Sequence, residues 1–274
     1  MSETGKDSKV SGGSRAFRAY ALFAVVYNVI VILWGVFLRA SHSGDGCGQH
    51  WLTCQGEAIP SAPELKTIIE FSHRITTMIA GFVVIGLVVW AFQAFKKGSI
   101  VRKLAVLSLV FIILEGAVGG GLVLTGNTAG NWTPTRPYWT AGHLINTFIL
   151  IAFLTLTAWY AGGREYVKVN SGKLKWLMIL GVAVIFITGI SGSMAALTNM
   201  LFPSESIAEG IAKDFDPDSH ILLRLRILHP ILSVFSAVFL IFLAGWLRKF
   251  AAGNAAVLRW TNILSATVML QIVF

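Results

Sequence analysis

Apolar residues along this chain fall into long blocks separated by short polar segments. Seven blocks are present, with loose boundaries at residues 16–38, 67–93, 103–125, 138–162, 174–200, 219–246 and 257–274. A helix needs roughly 20 mostly apolar residues to cross a hydrocarbon core about 30 Å thick. In lipid, every backbone polar group has to be satisfied within its own segment, which favours helices. The pattern therefore predicts an all-α, polytopic membrane helix bundle.

The composition supports an integral membrane protein and argues against a nucleic-acid partner. The chain is 55% hydrophobic and 13% charged, roughly half the charged fraction that is usual in soluble domains. Its net charge of +9 comes from basic residues in the short connections between apolar blocks. That placement reports membrane topology rather than a binding groove, so the predicted partner is the lipid bilayer.

The basic residues also predict the orientation of the chain. Of the 22 Lys and Arg residues, fifteen lie in the N-terminal tail and in alternate connections, and four lie in the opposite connections. Because positive residues collect on the cytoplasmic side, residues 1–15 are predicted to be a cytoplasmic tail of a multi-pass cell-membrane (plasma or inner membrane) protein. The loops 39–66, 126–137 and 201–218 are then predicted to face outward.

Both cysteines, Cys47 and Cys54, lie in the first outward loop, in GDGCGQHWLTCQG. An extracytoplasmic loop is oxidising, which favours a disulfide that either staples the loop or exchanges with a partner thiol protein. Two alternatives remain open from the residues alone. One is a pair of free thiols, and the other is a metal site that adds His42 and His50.

Three histidines lie in the outward halves of even-numbered blocks: His73, His143 and His229. An ionisable residue inside a membrane helix is costly and therefore indicates function. Imidazoles at matched depth on helices that run the same way are typical of axial haem ligands on either side of a flat ring. The alternative for each histidine is an ordinary hydrogen bond between helices.

Charged and small residues near these histidines suggest further roles. Glu70 lies on the same helix face as His73 and is a candidate for moving protons; the alternative is an ion pair with an arginine. Anionic propionates of a haem would attract outward arginines, of which the candidates are Arg39, Arg74, Arg224 and Arg226. The third block carries Glu115 and the run Gly119–Gly121, which leaves room for a broad group to pack closely. Pro230, after His229, predicts a kink.

The chain also contains a weak internal repeat. Aligning His73 with His229 matches the placement of the second and sixth blocks, and the first and fifth blocks both end in small and polar residues. We therefore expect two pseudo-symmetric four-helix halves, at residues 16–163 and 164–274. An eighth helix that mirrors the fourth is missing, so the C-terminal half is expected to be incomplete and the chain to be a fragment.

Several of these motifs together closely resemble the haem A synthase family of bacterial and mitochondrial membranes over residues 20–274. The matching pieces are EFSHR at Glu70–Arg74, the cysteine pair Cys47 and Cys54, Gly142–His143, the stretch LEGAVGGGLVLTG and His229. The resemblance implies eight helices in two halves. It also implies oxidation of the C8 methyl of haem O to the formyl of haem A for terminal oxidases.

The resemblance further implies a role for each matching residue. His73 and His143 would bind the substrate haem, and Glu70 would lie beside it. His229 would bind a haem b that relays electrons. Cys47 and Cys54 would form the outer-loop disulfide of the family. Haem O synthase and a membrane electron donor are the expected protein partners.

Two other functions share some of these features. A di-haem membrane cytochrome would use the same histidines for electron transfer without methyl oxidation, and would need neither Glu70 nor the cysteine loop. A transporter would use the charged residues as a proton relay and would bind no haem. The chain shows no pair of broken helices in corresponding positions, which such transporters often have.

Overall fold

Helices account for the regular structure of the protein, of which a computed structural model describes residues 12–128, 132–163 and 171–273. The long helices of the N-terminal part are α1 (Gly12–Ala40), α2 (Leu65–Ala94), α3 (Ile100–Leu124) and α4 (Arg136–Ala161). They are followed by α5 (Gly172–Leu201), α6 (Ile207–Phe215), α7 (Ile221–Arg226), α8 (Leu228–Phe250) and α9 (Ala255–Val273). These described ranges contain no strand, which confirms the all-α prediction.

Six helical segments within the described ranges are long and apolar enough to cross a membrane. They are α1 to α5 and the combined segment Ile221–Phe250, so the predicted polytopic bundle is confirmed. The seventh predicted block is helical as α9, but it is not among these six. Its apolar run is interrupted by Arg259, Asn262 and Gln271. Whether α9 crosses the membrane therefore stays a prediction.

The sixth predicted block is not one continuous helix. It divides into α7 and α8 at Ile227, in the turn before Pro230. Proline has no backbone N–H to donate to the carbonyl four residues earlier, and its ring crowds that carbonyl. The interruption expected at this proline is therefore present.

The third outward loop contains the short helix α6, which the hydrophobic pattern did not predict. The Ser206 hydroxyl accepts a hydrogen bond from the Glu209 backbone N–H at 3.1 Å, and the Glu209 carboxylate accepts one from the Glu205 N–H at 2.8 Å. Ser-x-x-Glu is a recognised helix-start signal, so the sequence did contain the information. The hydrogen bond from Lys213 lowers the pKa of the Glu209 carboxyl.

The chain divides into two compact units, Met1–Tyr166 (unit 1) and Val167–Phe274 (unit 2). In unit 1 each long helix packs against two others, so that α1, α2, α3 and α4 form a closed ring. The buried apolar core lies towards the N-terminal ends of α1 and α3 and the C-terminal ends of α2 and α4. Its members are Phe17, Ala21, Ala24, Val31, Ala80, Val84, Leu87, Ala91, Val101, Ala105, Ile112, Leu150, Leu154, Ala158 and Ala161. The opposite half of unit 1 contains His73 and His143.

Unit 2 is built around α5 and α8, which pack against each other. The helix α7 contacts α5, the short α6 contacts α7, and α9 packs on α8. Its small apolar core is formed by Leu174, near the N-terminal end of α5, and by Leu240 and Leu243, towards the C-terminal end of α8. His229 lies near the opposite end of α8.

Candidate functional site

Two buried imidazole nitrogens lie in the half of unit 1 opposite its apolar core. Nδ1 of His73 on α2 and Nδ1 of His143 on α4 are both buried, and neither has a hydrogen-bond partner. The two imidazoles are close enough to interact electrostatically. A buried polar atom left unpaired costs about 1–3 kcal/mol, so such atoms usually have a partner. Binding of an iron porphyrin between α2 and α4 by these two histidines stays a prediction.

The ring of His73 packs directly on the backbone of α1 at Gly35. A Cβ atom on Gly35 would lie 3.0 Å from Cε1 and 3.3 Å from Nε2 of His73. Unit 2 repeats this arrangement, because a Cβ atom on Gly192 of α5 would lie 2.8 Å from Cε1 of His229. The sequence analysis paired the two histidines but missed both glycines. Their common place in each unit supports the expected repeat.

Replacing Gly35 by alanine is expected to push the His73 ring out of position. We expect the affinity of unit 1 for haem to fall about tenfold, as when the support of a metal-binding histidine is lost. Haem titration of the purified protein measures this. Gly81→Ala is the matched control, since no atom lies within 4 Å of its added Cβ. Equal haem affinity in the two variants would contradict the packing role of Gly35.

Three side chains of α4 converge on one carboxylate of α3. Asn146 donates to Glu115 Oε2 at 2.5 Å, and the Thr147 hydroxyl donates to Oε1. His143 Nδ1 lies 3.5 Å from Oε1 and makes no hydrogen bond to it. Residues three and four positions apart share one helix face. The spacing His-x-x-Asn-Thr was therefore the signal for Asn146 and Thr147, which the sequence analysis missed.

The glycine run Gly119–Gly121 of α3 accepts side chains from two other segments. The first glycine lies against His143, with its Cβ position 3.9 Å from Cε1. The indole of Trp51 occupies the Cβ position of the second, and the indole of Trp139 that of the third. The broad groups expected on this run are thus two tryptophan rings. A cavity of about 360 Å³ opens beside them, lined by Val118, Thr135, Tyr138, Trp139 and Gly142.

The first outward loop is closed by a disulfide between Cys47 and Cys54. The predicted pairing is confirmed, and the alternative of two free thiols is wrong. The alternative metal site with His42 and His50 is also wrong, because disulfide sulfurs are no longer thiolate ligands. In the described ranges, no group of three or more His, Cys, Asp or Glu residues is arranged for a metal ion.

Replacing Cys47 by serine is expected to lower the free energy of unfolding by about 2 kcal/mol, from the closure entropy of so short a loop. Denaturant unfolding of the detergent-solubilised protein measures the change. Thiol labelling before and after reduction checks that the wild-type protein holds the bond. Labelling of the unreduced, denatured protein would contradict the disulfide itself.

The Glu70 carboxylate on α2 is 3% exposed, and both of its oxygens accept hydrogen bonds. It accepts from the Cys47 backbone N–H at 2.8 Å, and from Arg74 through Nε at 3.1 Å and through Nη2. The alternative of an ion pair with an arginine is therefore present. A role of Glu70 in catalysis stays a prediction.

Arg74 extends this contact to the disulfide loop. Its Nη1 donates to three backbone carbonyls, those of His50, Trp51 at 3.1 Å and Thr53 at 2.9 Å. Together with Glu70 it holds the loop against the outward end of α2, close to His73. The guanidinium is thus engaged with the loop, and its binding to haem propionates stays a prediction.

Arg226 in unit 2 plays a similar part for α6. Its Nε donates to Asp214 at 2.9 Å, its Nη2 to the Gly210 carbonyl at 2.9 Å and its Nη1 to Asn199 at 2.5 Å. Each unit thus uses an arginine near its histidine to hold an outward segment in place. The sequence had suggested contacts with haem propionates for these arginines, with an ion pair to a carboxylate as the alternative, and both arginines do form such an ion pair.

His229 is oriented by hydroxyl groups. Its Nδ1 lies 3.0 Å from Ser191 Oγ and 3.5 Å from Ser233 Oγ. Fixing one ring nitrogen leaves the other to face a metal, the usual arrangement of metal-binding histidines. The other described histidine of unit 2, His220, accepts from the Leu222 N–H at the start of α7. Haem binding by His229, like its predicted partner on an eighth helix, stays a prediction.

Comparison with known proteins identifies related sequences. The family model COX15-CtaA, described as cytochrome oxidase assembly protein, matches residues 18–274. A Thermus thermophilus protein named protoheme IX farnesyltransferase is 42% identical over 229 residues, which is 83% of this chain and 38% of the relative. The heme A synthase of Halalkalibacterium halodurans is 36% identical over 114 residues, 42% of this chain and 38% of the relative.

A second heme A synthase, from Exiguobacterium sibiricum, is 35% identical over 111 residues, or 40% of this chain and 37% of the relative. The chain thus spans about two fifths of the length of these curated relatives. No solved structure gives a significant match.

Proposed function

Because this chain belongs to the COX15-CtaA family of cytochrome oxidase assembly proteins, the haem A synthase family, we propose that it is an oxidoreductase of haem A biosynthesis. Its reaction is the oxidation of the C8 methyl of haem O to the formyl of haem A. The methyl carbon loses two hydrogens and gains one oxygen. As a half-reaction, the methyl group and one water give the formyl group, four protons and four electrons, and we propose dioxygen as the oxidant that takes the electrons. Iron supplies this chemistry, which side chains cannot perform.

The observation that carries this proposal is the pair of buried, unpartnered imidazole nitrogens of His73 and His143. These residues hold the substrate haem between α2 and α4 in unit 1. Gly35 lets the His73 ring pack against α1, and Gly119 leaves space beside His143. The disulfide loop, held by Glu70 and Arg74, covers the outward end of the same unit and limits the entry of water.

The names of the relatives point to the substrate. One relative is named for farnesyl transfer to protohaem, and others are named for haem A synthesis. Farnesylated haem, which is the product of the first reaction, is haem O, the substrate proposed here. A haem O synthase is therefore the proposed source of substrate, and a membrane electron donor completes the set of partners.

Unit 2 is proposed to bind haem b as a resident electron carrier. His229 would supply one axial ligand, with Ser191 orienting its ring through Nδ1. Bound there, the haem would relay electrons one at a time. This assignment is supported by the close packing of His229 on Gly192, which repeats the packing of His73 on Gly35 in unit 1.

The test is pigment analysis in a host that makes haem O but lacks its own haem A synthase. Expression of the full-length protein is expected to yield haem A in membrane extracts. A red protein that leaves only haem O would instead identify the di-haem cytochrome, and a colourless protein would favour the transporter. Either result would overturn the proposed function.

A further inference from the structure

We propose that Glu115 is a positioning residue for His143. When haem is bound, the Glu115 carboxylate accepts a hydrogen bond from the Nδ1–H of His143. The hydrogen bond would select the tautomer that presents Nε2 to the iron and would make the imidazole a stronger donor. The inference rests on the proposed function, because it takes His143 to be an axial ligand of the haem in unit 1.

The geometry around Glu115 points to this role. Both carboxylate oxygens already accept hydrogen bonds from side chains of α4: Oε2 from Asn146 at 2.5 Å and Oε1 from Thr147. Oε1 keeps free acceptor capacity and lies 3.5 Å from His143 Nδ1. That nitrogen is buried and has no other partner. A small rotation of the imidazole completes the bond and satisfies the unpaired atom.

A purely structural link between α3 and α4 would not require a carboxylate here. Asn146 already joins the two helices through the Phe111 carbonyl at 2.9 Å. An acidic residue within a membrane helix is costly, and such residues are rare and usually functional. The side chain of Glu115 is only 19% exposed. A charged group retained at such a cost indicates an electrostatic task, and the nearest group that could respond is the imidazole of His143.

The two units then differ in how their histidines are supported. His143 faces a carboxylate, whereas Nδ1 of His229 faces the neutral hydroxyl of Ser191 at 3.0 Å. A carboxylate behind a ligating histidine raises the basicity of the ligand, and hydrogen bonding around the ligand is a known control of haem potential. Glu115 would therefore favour the ferric state of the haem in unit 1.

The test is spectroelectrochemistry of the full-length, haem-loaded protein carrying Glu115→Gln. The variant is expected to keep its haem and to favour the ferrous state about tenfold more than wild type, which is about 59 mV for a one-electron couple. The iron–histidine stretching frequency in unit 1 should fall, and the haem of unit 2 should be unchanged. Glu115→Asp, with a carboxylate further from Nδ1, should lie between wild type and Glu115→Gln.

Thr147→Val is the matched control, since it removes a hydrogen bond to the same carboxylate but keeps the charge. The reduction potential of the unit 1 haem in Thr147→Val should equal that in the wild-type protein. An equal shift in Thr147→Val and Glu115→Gln would assign the effect to helix packing and overturn the inference, as would an unchanged potential in Glu115→Gln. If Glu115→Gln does not accumulate, an unchanged potential in Glu115→Asp overturns it. Failure of wild-type unit 1 to bind haem would instead defeat the proposed function.

Discussion

Replacing both His73 and His143 by alanine is expected to remove the haem of unit 1 and to reduce haem A production to background. Each substitution deletes one imidazole whose Nδ1 is buried without a protein partner. The macrocycle would then have no axial ligand from α2 or α4, and its iron could not be held at the reacting position. Soret absorbance and extracted pigments measure the two effects, and the haem of unit 2 should remain.

His50→Ala is the control for this experiment, because the His50 side chain is exposed on the outward loop. Only its backbone carbonyl contacts Arg74, so the substitution should leave pigment and activity unchanged. Full pigment in the double variant, at wild-type stability, would refute haem ligation by His73 and His143.

Removing the carboxylate of Glu70 is expected to give the largest loss of stability. In Glu70→Ala the buried Cys47 N–H and the Arg74 guanidinium lose their shared acceptor. Breaking a buried pair from one side typically costs about 3 kcal/mol or more. We expect a loss of that size in the free energy of unfolding, faster proteolysis of the disulfide loop and a fall in haem A production.

Two further variants interpret that result. Glu64→Ala removes an exposed carboxylate at the start of α2 that makes no side-chain capping bond, so it should change stability by less than about 0.5 kcal/mol. Glu70→Gln keeps an acceptor oxygen but no charge. If Glu70→Gln is as stable as wild type and yet makes no haem A, the carboxylate acts in the reaction itself. Wild-type stability in Glu70→Ala would contradict its role in holding the loop.

The local features of the fold could be read from the sequence. Apolar block length predicted the six membrane-length helices, and the outward location of Cys47 and Cys54 predicted their disulfide. The sequence also marked His73 and His143 as unusual by their depth in the bundle. These features depend on residues close in the chain, or on the solvent that surrounds a whole segment.

The partners of the polar residues required the tertiary structure. How helices far apart in sequence are rotated against each other decides three of these contacts. They are the donors to Glu70, the glycine that lies under His73, and the side chains that meet at Glu115. Hydrophobic periodicity reports the buried face of a helix but not the residue across from it. The sequence by itself therefore determined a helical membrane bundle with histidines inside its apolar helices. Only packing decided that Glu70 and Arg74 hold the disulfide loop while His73 and His143 keep a free nitrogen.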